Sequence, residues 1–291
     1  MPPAPLDDLA VVPLSALVLH EAVEPRRADA VRVGMRRTGV LNDPIVATPA
    51  PDGRWLVLDG AHRTTALAAL GVGAAVVQTM RIGGLDGTGE RMGGGPAPDG
   101  DDAGAVVDAW AHELTGPEAT TLLDTRAPRA AAGSASAGSA VVAVVEGAGR
   151  RVEVIASADL PGRLAAMWDL AGRYTDLRYV RRHPGDPGPA AGAVRVTWAP
   201  ALPSDLADLA DLGATFPAGV SRFIVRGRVL GVRIPLAELA RTASGGVGGE
   251  AAAVDLLARL RRLPVRLYSE PVWVVESAEP IGLSEDPNRG R

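Results

Sequence analysis

The sequence predicts an α/β (α+β) chain in two lobes, and three observations carry the prediction. The stretch Trp55 to Val72, WLVLDGAHRTTALAALGV, reads as strand, tight turn and short helix in one unit. Apolar runs of strand length alternate with helically spaced segments on both sides of it. Across residues 82–139 no period survives and Gly, Ala and Pro dominate. The chain therefore divides into a first domain over 1–81, a flexible insertion over 82–139 and a second α/β lobe over 140–291.

In chain order, Val11 to Leu19 is strongly apolar and predicts a short strand leading into His20-Glu21. Pro25 opens a helix that runs to about Thr38, with Val31 and Met35 on its buried face and Gly39 ending it. Five arginines (Arg26, Arg27, Arg32, Arg36 and Arg37) make that helix basic, chiefly as a solvated face, with Arg26 and Arg27 placed where a first turn can meet an anion. Asp43 to Thr48 and Arg54 to Leu58 predict a hairpin around Pro49-Ala50-Pro51-Asp52-Gly53. Ala74 to Met80 closes the first domain as a strand. Arg81 to Gly104 predicts a mobile loop, Val106 to Leu123 one or two helical turns, and Arg126 to Ala140 a loose segment.

The second lobe starts with strands at Ala140 to Glu146 and Arg151 to Ser157, around Gly147-Ala148-Gly149. A helix follows from about Pro161 to Arg173, then strands at Leu177 to Arg182 and Val194 to Trp198. Ser204 to Leu212 predicts a short helix capped by Ser204, with Asp205 in its first turn. Phe216 to Leu236 sets arginines among apolar residues, a pattern that suits a strand with one solvated face.

Composition excludes several chemistries. Among 291 residues there is no cysteine, which removes disulfides and thiol catalysis, and no lysine, since all 30 basic residues are arginine. A lysine-dependent phosphate loop or protein-kinase site is therefore ruled out. The aromatic share is 3% against 47% hydrophobic, so Val, Leu and Ala must fill the core. A net charge of −4 lacks the basic footprint of a nucleic-acid binder. The N-terminus lacks the pattern of a secretory signal, and no apolar run approaches a membrane span, which predicts a soluble, cytoplasmic protein. His112-Glu113 and His183 stand isolated, with no zinc constellation. The glycine runs at Gly83 to Gly95 and Gly245 to Gly249 lack the context of a phosphate loop.

The polar residues concentrate at the turn after Leu58. Asp59, His62, Arg63, Thr64 and Thr65 crowd the first turn of a helix that follows Asp59-Gly60, with Ala61 among them, and its free N–H groups favour an anion. Arg63 adds a planar fork of donors suited to phosphate. Capping of the helix by Asp59 accounts for part of the same pattern.

With His20-Glu21 upstream and Asp43-Pro44-Ile45-Val46 between, this order resembles the N-terminal domain of the ParB/sulfiredoxin superfamily, and within it the free serine kinases. Phe216-Pro217, Ser221-Arg222, Gly227-Arg228 and Ile234-Pro235-Leu236 fall in line with a second element of those kinases, and Tyr268 to Glu276 resembles their closing strand. The resemblance covers residues 11–80 well and 212–277 moderately. Ala61 and Phe223 stand where the kinases carry histidines.

The resemblance implies a ParB/sulfiredoxin-like nucleotide domain followed by a substrate-binding lobe. It implies phosphoryl transfer from ATP or ADP, with Mg²⁺, to the hydroxyl of free L-serine. The O-phosphoserine would feed a pyridoxal-phosphate enzyme. Glu21 is the implied general base, with Asp59 as catalytic residue and metal ligand. Residues Asp59 to Thr64 hold the nucleotide, and His20, Ser221 and Arg222 hold the amino acid. A non-catalytic, ParB-like nucleotide-binding regulator is the alternative.

Overall fold

The computed structural model describes residues 6–50, 52–82, 106–124, 138–225, 227–244, 246–267 and 272–275. The chain begins with β1 (Leu9–Pro13), a 3₁₀ turn at Leu14–Ala16 and β2 (Leu17–Leu19). Then come α1 (Pro25–Thr38), β3 (Val40–Leu41), β4 (Ile45–Pro49), β5 (Trp55–Asp59), α2 (Ala61–Ala69) and β6 (Ala74–Thr79). The middle holds β7 (Val106–Ala109), β8 (Ala111–Thr115), a 3₁₀ segment at Pro117–Asp124, β9 (Ser139–Gly147), β10 (Arg150–Ser157) and α3 (Leu160–Gly172). After it run β11 (Tyr179–Arg182), β12 (Ala193–Trp198), α4 (Pro203–Leu212) and β13 (Ser221–Ile224). The last elements are β14 (Arg228–Leu230), β15 (Ile234–Pro235), α5 (Leu236–Thr242), α6 (Gly246–Leu260), β16 (Val265–Leu267) and β17 (Val272–Val275).

These elements form two compact units, divided differently from the sequence expectation. One comprises Met1–Leu19, Val23–Ala105 and Val225–Arg291; the other comprises His20–Ala22 and Val106–Ile224. The last segment thus belongs with the first domain and not with the lobe that begins near residue 140. Its apolar residues decide this, because Val229, Val232, Ile234, Leu239, Leu256 and Leu260 bury in one cluster with Leu41, Ile45, Val57 and Leu67. Each fully buried Leu or Ile adds about 1.5–3 kcal/mol, so the returning segment is bound firmly to that core.

The first unit is built on a mixed sheet in the order β1-β6-β4-β5-β2, with β4 and β5 joined as the expected antiparallel hairpin. Helix α1 starts at Pro25 and stops at Gly39, which takes a left-handed φ of 69° while its N–H donates to Met35 O. Both Arg26 and Arg27 are exposed on its first turn. Helix α2 ends as its glycine predicts: Gly71 N–H donates to Ala68 O and Val72 N–H to Leu67 O, the paired bonds of a Schellman motif.

The second unit is an antiparallel sheet in the order β10-β9-β12-β8-β11. The hairpin β9–β10, helix α3 and strands β11 and β12 lie close to where the pattern places them. Residues 106–124 do so only in part: the expected helical turns are the 3₁₀ segment Pro117–Asp124, whereas Val106–Ala109 and Ala111–Thr115 are the strands β7 and β8. Pairing with β11 on one side and β12 on the other buries Ala111 to Leu114, and that tertiary pairing overrides local propensity. Helix α4 starts at Pro203 with Leu202, not Ser204, as its N-cap; Asp205 does sit in its first turn, and its carboxylate accepts the Leu202 N–H. The expected loops over 83–105 and 125–137, and Tyr268 to Pro271 with Glu276 of the closing strand, lie outside the described residues. Among the described residues no helix is long and apolar enough to cross a membrane.

Candidate active site

In the first unit, strand β5 delivers Asp59 to the start of α2. Gly60 between them is the N-cap, with a left-handed φ of 104°, so Asp59 does not cap the helix. A Cβ at Gly60 would lie 3.0 Å from the Arg63 guanidinium and 3.3 Å from Ile45 Cγ1, so both conformation and space require glycine. The helical ladder begins with Thr64 N–H donating to Gly60 O at 2.8 Å, and the N–H groups ahead of it in the turn form the positive end of the helix.

Two arginines and two carboxylates gather at that end. Arg63 Nη2 donates to Asp59 Oδ2 at 2.5 Å, Arg228 donates to the same oxygen, and Arg63 Nη1 lies 3.6 Å from Asp43 Oδ2. The other oxygen of Asp43 accepts the Gly231 N–H at 2.8 Å. Burial pushes the Asp59 carboxyl up, but the Arg63 and Arg228 charges, aided by hydrogen bonds from Arg63 and Gly60, hold it below its ordinary value. Asp59 is therefore an anion that keeps two planar guanidinium groups at a helix N-terminus, a donor set that fits phosphate oxygens.

The hydroxyl of Thr64 donates back to Gly60 O at 3.1 Å, and that of Thr65 to Ala61 O at 3.0 Å. Neither hydroxyl proton is left for a phosphate, so the expected contribution of Thr64 reduces to its place in the turn. Ala61 is buried and His62 half-buried. Among the described residues no cluster of three or more His, Asp or Glu is arranged to hold a metal. Mg²⁺ is commonly held through one or two carboxylates plus phosphate oxygens; Asp59 and Asp43 are the carboxylates at this helix end, and both pair with Arg63.

In the second unit, His20 to Ala22 runs as a one-residue bridge beside Phe216. Phe216 N–H donates to His20 O at 2.9 Å and Ala22 N–H to Phe216 O at 2.8 Å. This fixes the backbone of Glu21. Its Oε2 accepts the Gly219 N–H and the Ser221 hydroxyl, each at 3.1 Å. Ser221 has one proton and gives it to the carboxylate, so its Oγ accepts from His20 Nε2 at 2.7 Å, which places the His20 proton on Nε2. His20 is buried and packs edge-on against Phe223 at 4.9 Å. Phe223 thus sets an apolar ring, not a second imidazole, against His20. Both bonds converge on Oε2, so Oε1 is the oxygen that can take up a proton.

His20, Glu21 and Ser221 are thus brought together as expected, but Arg222 is not. Neighbouring residues on a strand face opposite sides, and Arg222 donates to Asp108 at 2.9 Å and lies over the Trp110 ring at 4.9 Å. Ser221 also lines a cavity of about 170 Å³ together with Val141, Met167, Leu202 and Phe216. The sequence reading missed Arg228 and Asp43 as partners of the Asp59 turn, Gly219 as a partner of Glu21, and the surroundings of His112, which is fully buried and not isolated. No local signal marks them, because every one of these contacts joins residues distant in sequence, except that Arg228 stands within the family-like Gly227-Arg228 pair.

No protein-family model matches the chain. The chain is similar to the ATP-dependent L-serine kinase SbnI of Staphylococcus aureus (strain NCTC 8325 / PS 47), with 23% identity over 236 residues, 80% of this chain and 84% of the relative. Its fold matches the solved structure of C-terminally truncated SbnI from Staphylococcus aureus with a TM-score of 0.67 and 23% identity, over 87% of this chain and 96% of that one. A free serine kinase solved in complex with AMP matches with a TM-score of 0.56 and 15% identity, over 80% of this chain and 93% of that one.

Proposed function

We propose that this chain is an ATP-dependent kinase of free L-serine, yielding O-phospho-L-serine, and that its first unit carries a ParB/sulfiredoxin-like nucleotide domain. The observation that carries the reading is the Glu21 carboxylate, fixed through one oxygen by the Gly219 N–H and the Ser221 hydroxyl. The similarity to SbnI, named for ATP-dependent L-serine kinase activity, supports the same substrate class and favours ATP over ADP as donor.

The hydroxyl of serine must lose a proton as it attacks phosphorus, and catalysis otherwise depends on positioning and charge stabilisation. Glu21 Oε1 takes that proton as general base. Ser221, held by His20, orients Glu21. Arg63, Arg228 and the first turn of α2 hold the phosphates, with Asp59 keeping the two guanidinium groups in place. Mg²⁺, when bound, would neutralise phosphate charge beside Asp59 and Asp43. The phosphoserine formed is a substrate suited to a pyridoxal-phosphate enzyme that displaces its phosphate.

The test is mass spectrometry of serine incubated with the protein and ATP, comparing wild type with Glu21→Gln. Gln keeps an acceptor oxygen for Gly219 and Ser221 but no basicity, so turnover should fall by roughly 10²–10⁴-fold. ATP affinity should hold. A wild-type protein that binds ATP and makes no phosphoserine would be a nucleotide-binding regulator.

A further inference from the structure

We propose that His112 is a positioning residue for the transfer: its ring holds the Gly219 carbonyl and so aims the Gly219 N–H at the Glu21 carboxylate. The role rests on the reading of Glu21 as the base. His112 lies on β8, buried at 1% exposure, and nothing in the activity proposed above uses it.

The proton count on the ring is determined. His112 Nε2 lies 2.8 Å from Gly219 O, which can only accept, so Nε2 carries the hydrogen. Nδ1 is then the acceptor. The Tyr174 hydroxyl lies 2.8 Å from it, and the Trp198 Nε1–H, which can only donate, points at it from 3.5 Å. One neutral tautomer satisfies all three partners, whereas a proton on Nδ1 would face the Trp198 donor. Burial, with the Arg181 charge adding to it and the Gly219 bond opposing, pushes the imidazole down to about 4, which keeps this tautomer at neutral pH. The ring is stacked on Tyr179, centroids 4.0 Å apart and planes 18° apart, so it cannot turn away from Gly219. Tyr174, Tyr179 and Arg181 are the titratable and charged groups that face it.

Gly219 is gripped at both ends. Its carbonyl accepts from His112 and its N–H donates to Glu21, while a φ of 76° keeps it in the left-handed region. An added Cβ would run into the Arg181 guanidinium and lie 3.1 Å from the Tyr179 hydroxyl. The next residue is fixed as well, since Val220 O accepts the Trp110 N–H at 3.0 Å. The aromatic cluster around His112 thus sets a single orientation for the residue that holds the base, and a base displaced by a fraction of an ångström loses rate without losing substrate.

Three variants test this. His112→Phe/Tyr174→Phe keeps the volume and removes both ring nitrogens together with the hydroxyl that would lose its acceptor. His112→Gln retains an amide N–H at about the reach of Nε2, and Tyr174→Phe alone is the control. The double variant should lower kcat for phosphoserine formation by roughly 10–100-fold with KM for ATP unchanged, and His112→Gln should recover most of the rate. Amide exchange of Gly219, followed by NMR in the ligand-free protein, should speed up in the double variant and stay protected in His112→Gln. Wild-type kcat and wild-type Gly219 protection in the double variant overturn the proposal. So does equal loss in the double variant and His112→Gln, which would make His112 a packing residue only. If the wild type makes no phosphoserine the kinase reading fails, and the Gly219 exchange comparison still decides whether His112 positions Gly219.

Discussion

Acidification should weaken the second unit through His112. The folded imidazole is pushed from 6.5 to about 4 by burial, so between those values the unfolded chain binds a proton that the folded chain does not. The sign follows: the contribution of His112 is neutral above pH 6.5, turns unfavourable as pH falls below it, and is complete near pH 4. The full gap corresponds to about 3 kcal/mol at 1.36 kcal/mol per pH unit, of which about 2 kcal/mol is lost between pH 7 and pH 5. Glu113 is held below its ordinary 4.5 first by its hydrogen bond from Arg195 and then by Arg182, so it acts only at lower pH. Asp59, held below 3.8, likewise stays out of the window. Urea titrations at pH 7 and pH 5, for wild type and His112→Gln, isolate the term, because the other histidines cancel in the difference. The variant should lose about 2 kcal/mol less than the wild type over that interval. Identical losses in the two proteins would refute the buried neutral imidazole.

Two further outcomes test the remaining assignments. Arg63→Ala should weaken ATP binding in calorimetry by roughly 10–150-fold, the worth of about 1.5–3 kcal/mol for a hydrogen bond to a charged group, while the ligand-free protein loses no more than about 1 kcal/mol because Arg228 still neutralises Asp59. Unchanged ATP affinity would move the phosphates away from α2. Arg222→Ala should lower the melting temperature through loss of the Asp108 pair and the Trp110 contact, with KM for serine and ATP both near wild type; a rise confined to KM for serine would return Arg222 to the amino acid's carboxylate.

The parts legible in the sequence are those fixed by neighbours in the chain. The Trp55 to Val72 unit was readable because an apolar strand, a glycine turn and a helix ending at Gly71 are all local decisions, and Pro25 and Gly39 bound α1 for the same reason. Strand β8, within the stretch where helical turns were expected, was not legible because it owes its conformation to β11 and β12, which lie more than sixty residues later; the turns themselves fall at Pro117–Asp124. The domain boundary at 140–291 failed on the same ground: nothing local in Val229 or Leu256 says which core will bury it. Helix α6 opens on Gly246 without a local start signal and was not anticipated.

The candidate site divides along the same line. His20-Glu21 and Asp59 to Arg63 stand out as candidates because they are contiguous and follow the order of the family they resemble. The partners that fix their side chains lie elsewhere: Arg228 for Asp59, Gly219 and Ser221 for Glu21. Gly219 is the sharpest case. In sequence it is one glycine among 35, in a Pro-Ala-Gly turn that any loop could contain. Its importance comes from partners 107 and 198 residues away, one on its carbonyl and one on its N–H. A carboxylate can be picked from a sequence, but the backbone amide that aims it becomes visible only when the chain is folded. On the proposed reading of Glu21 as the base, its aim rests on Gly219 and Ser221, and neither contact can be read from the linear sequence.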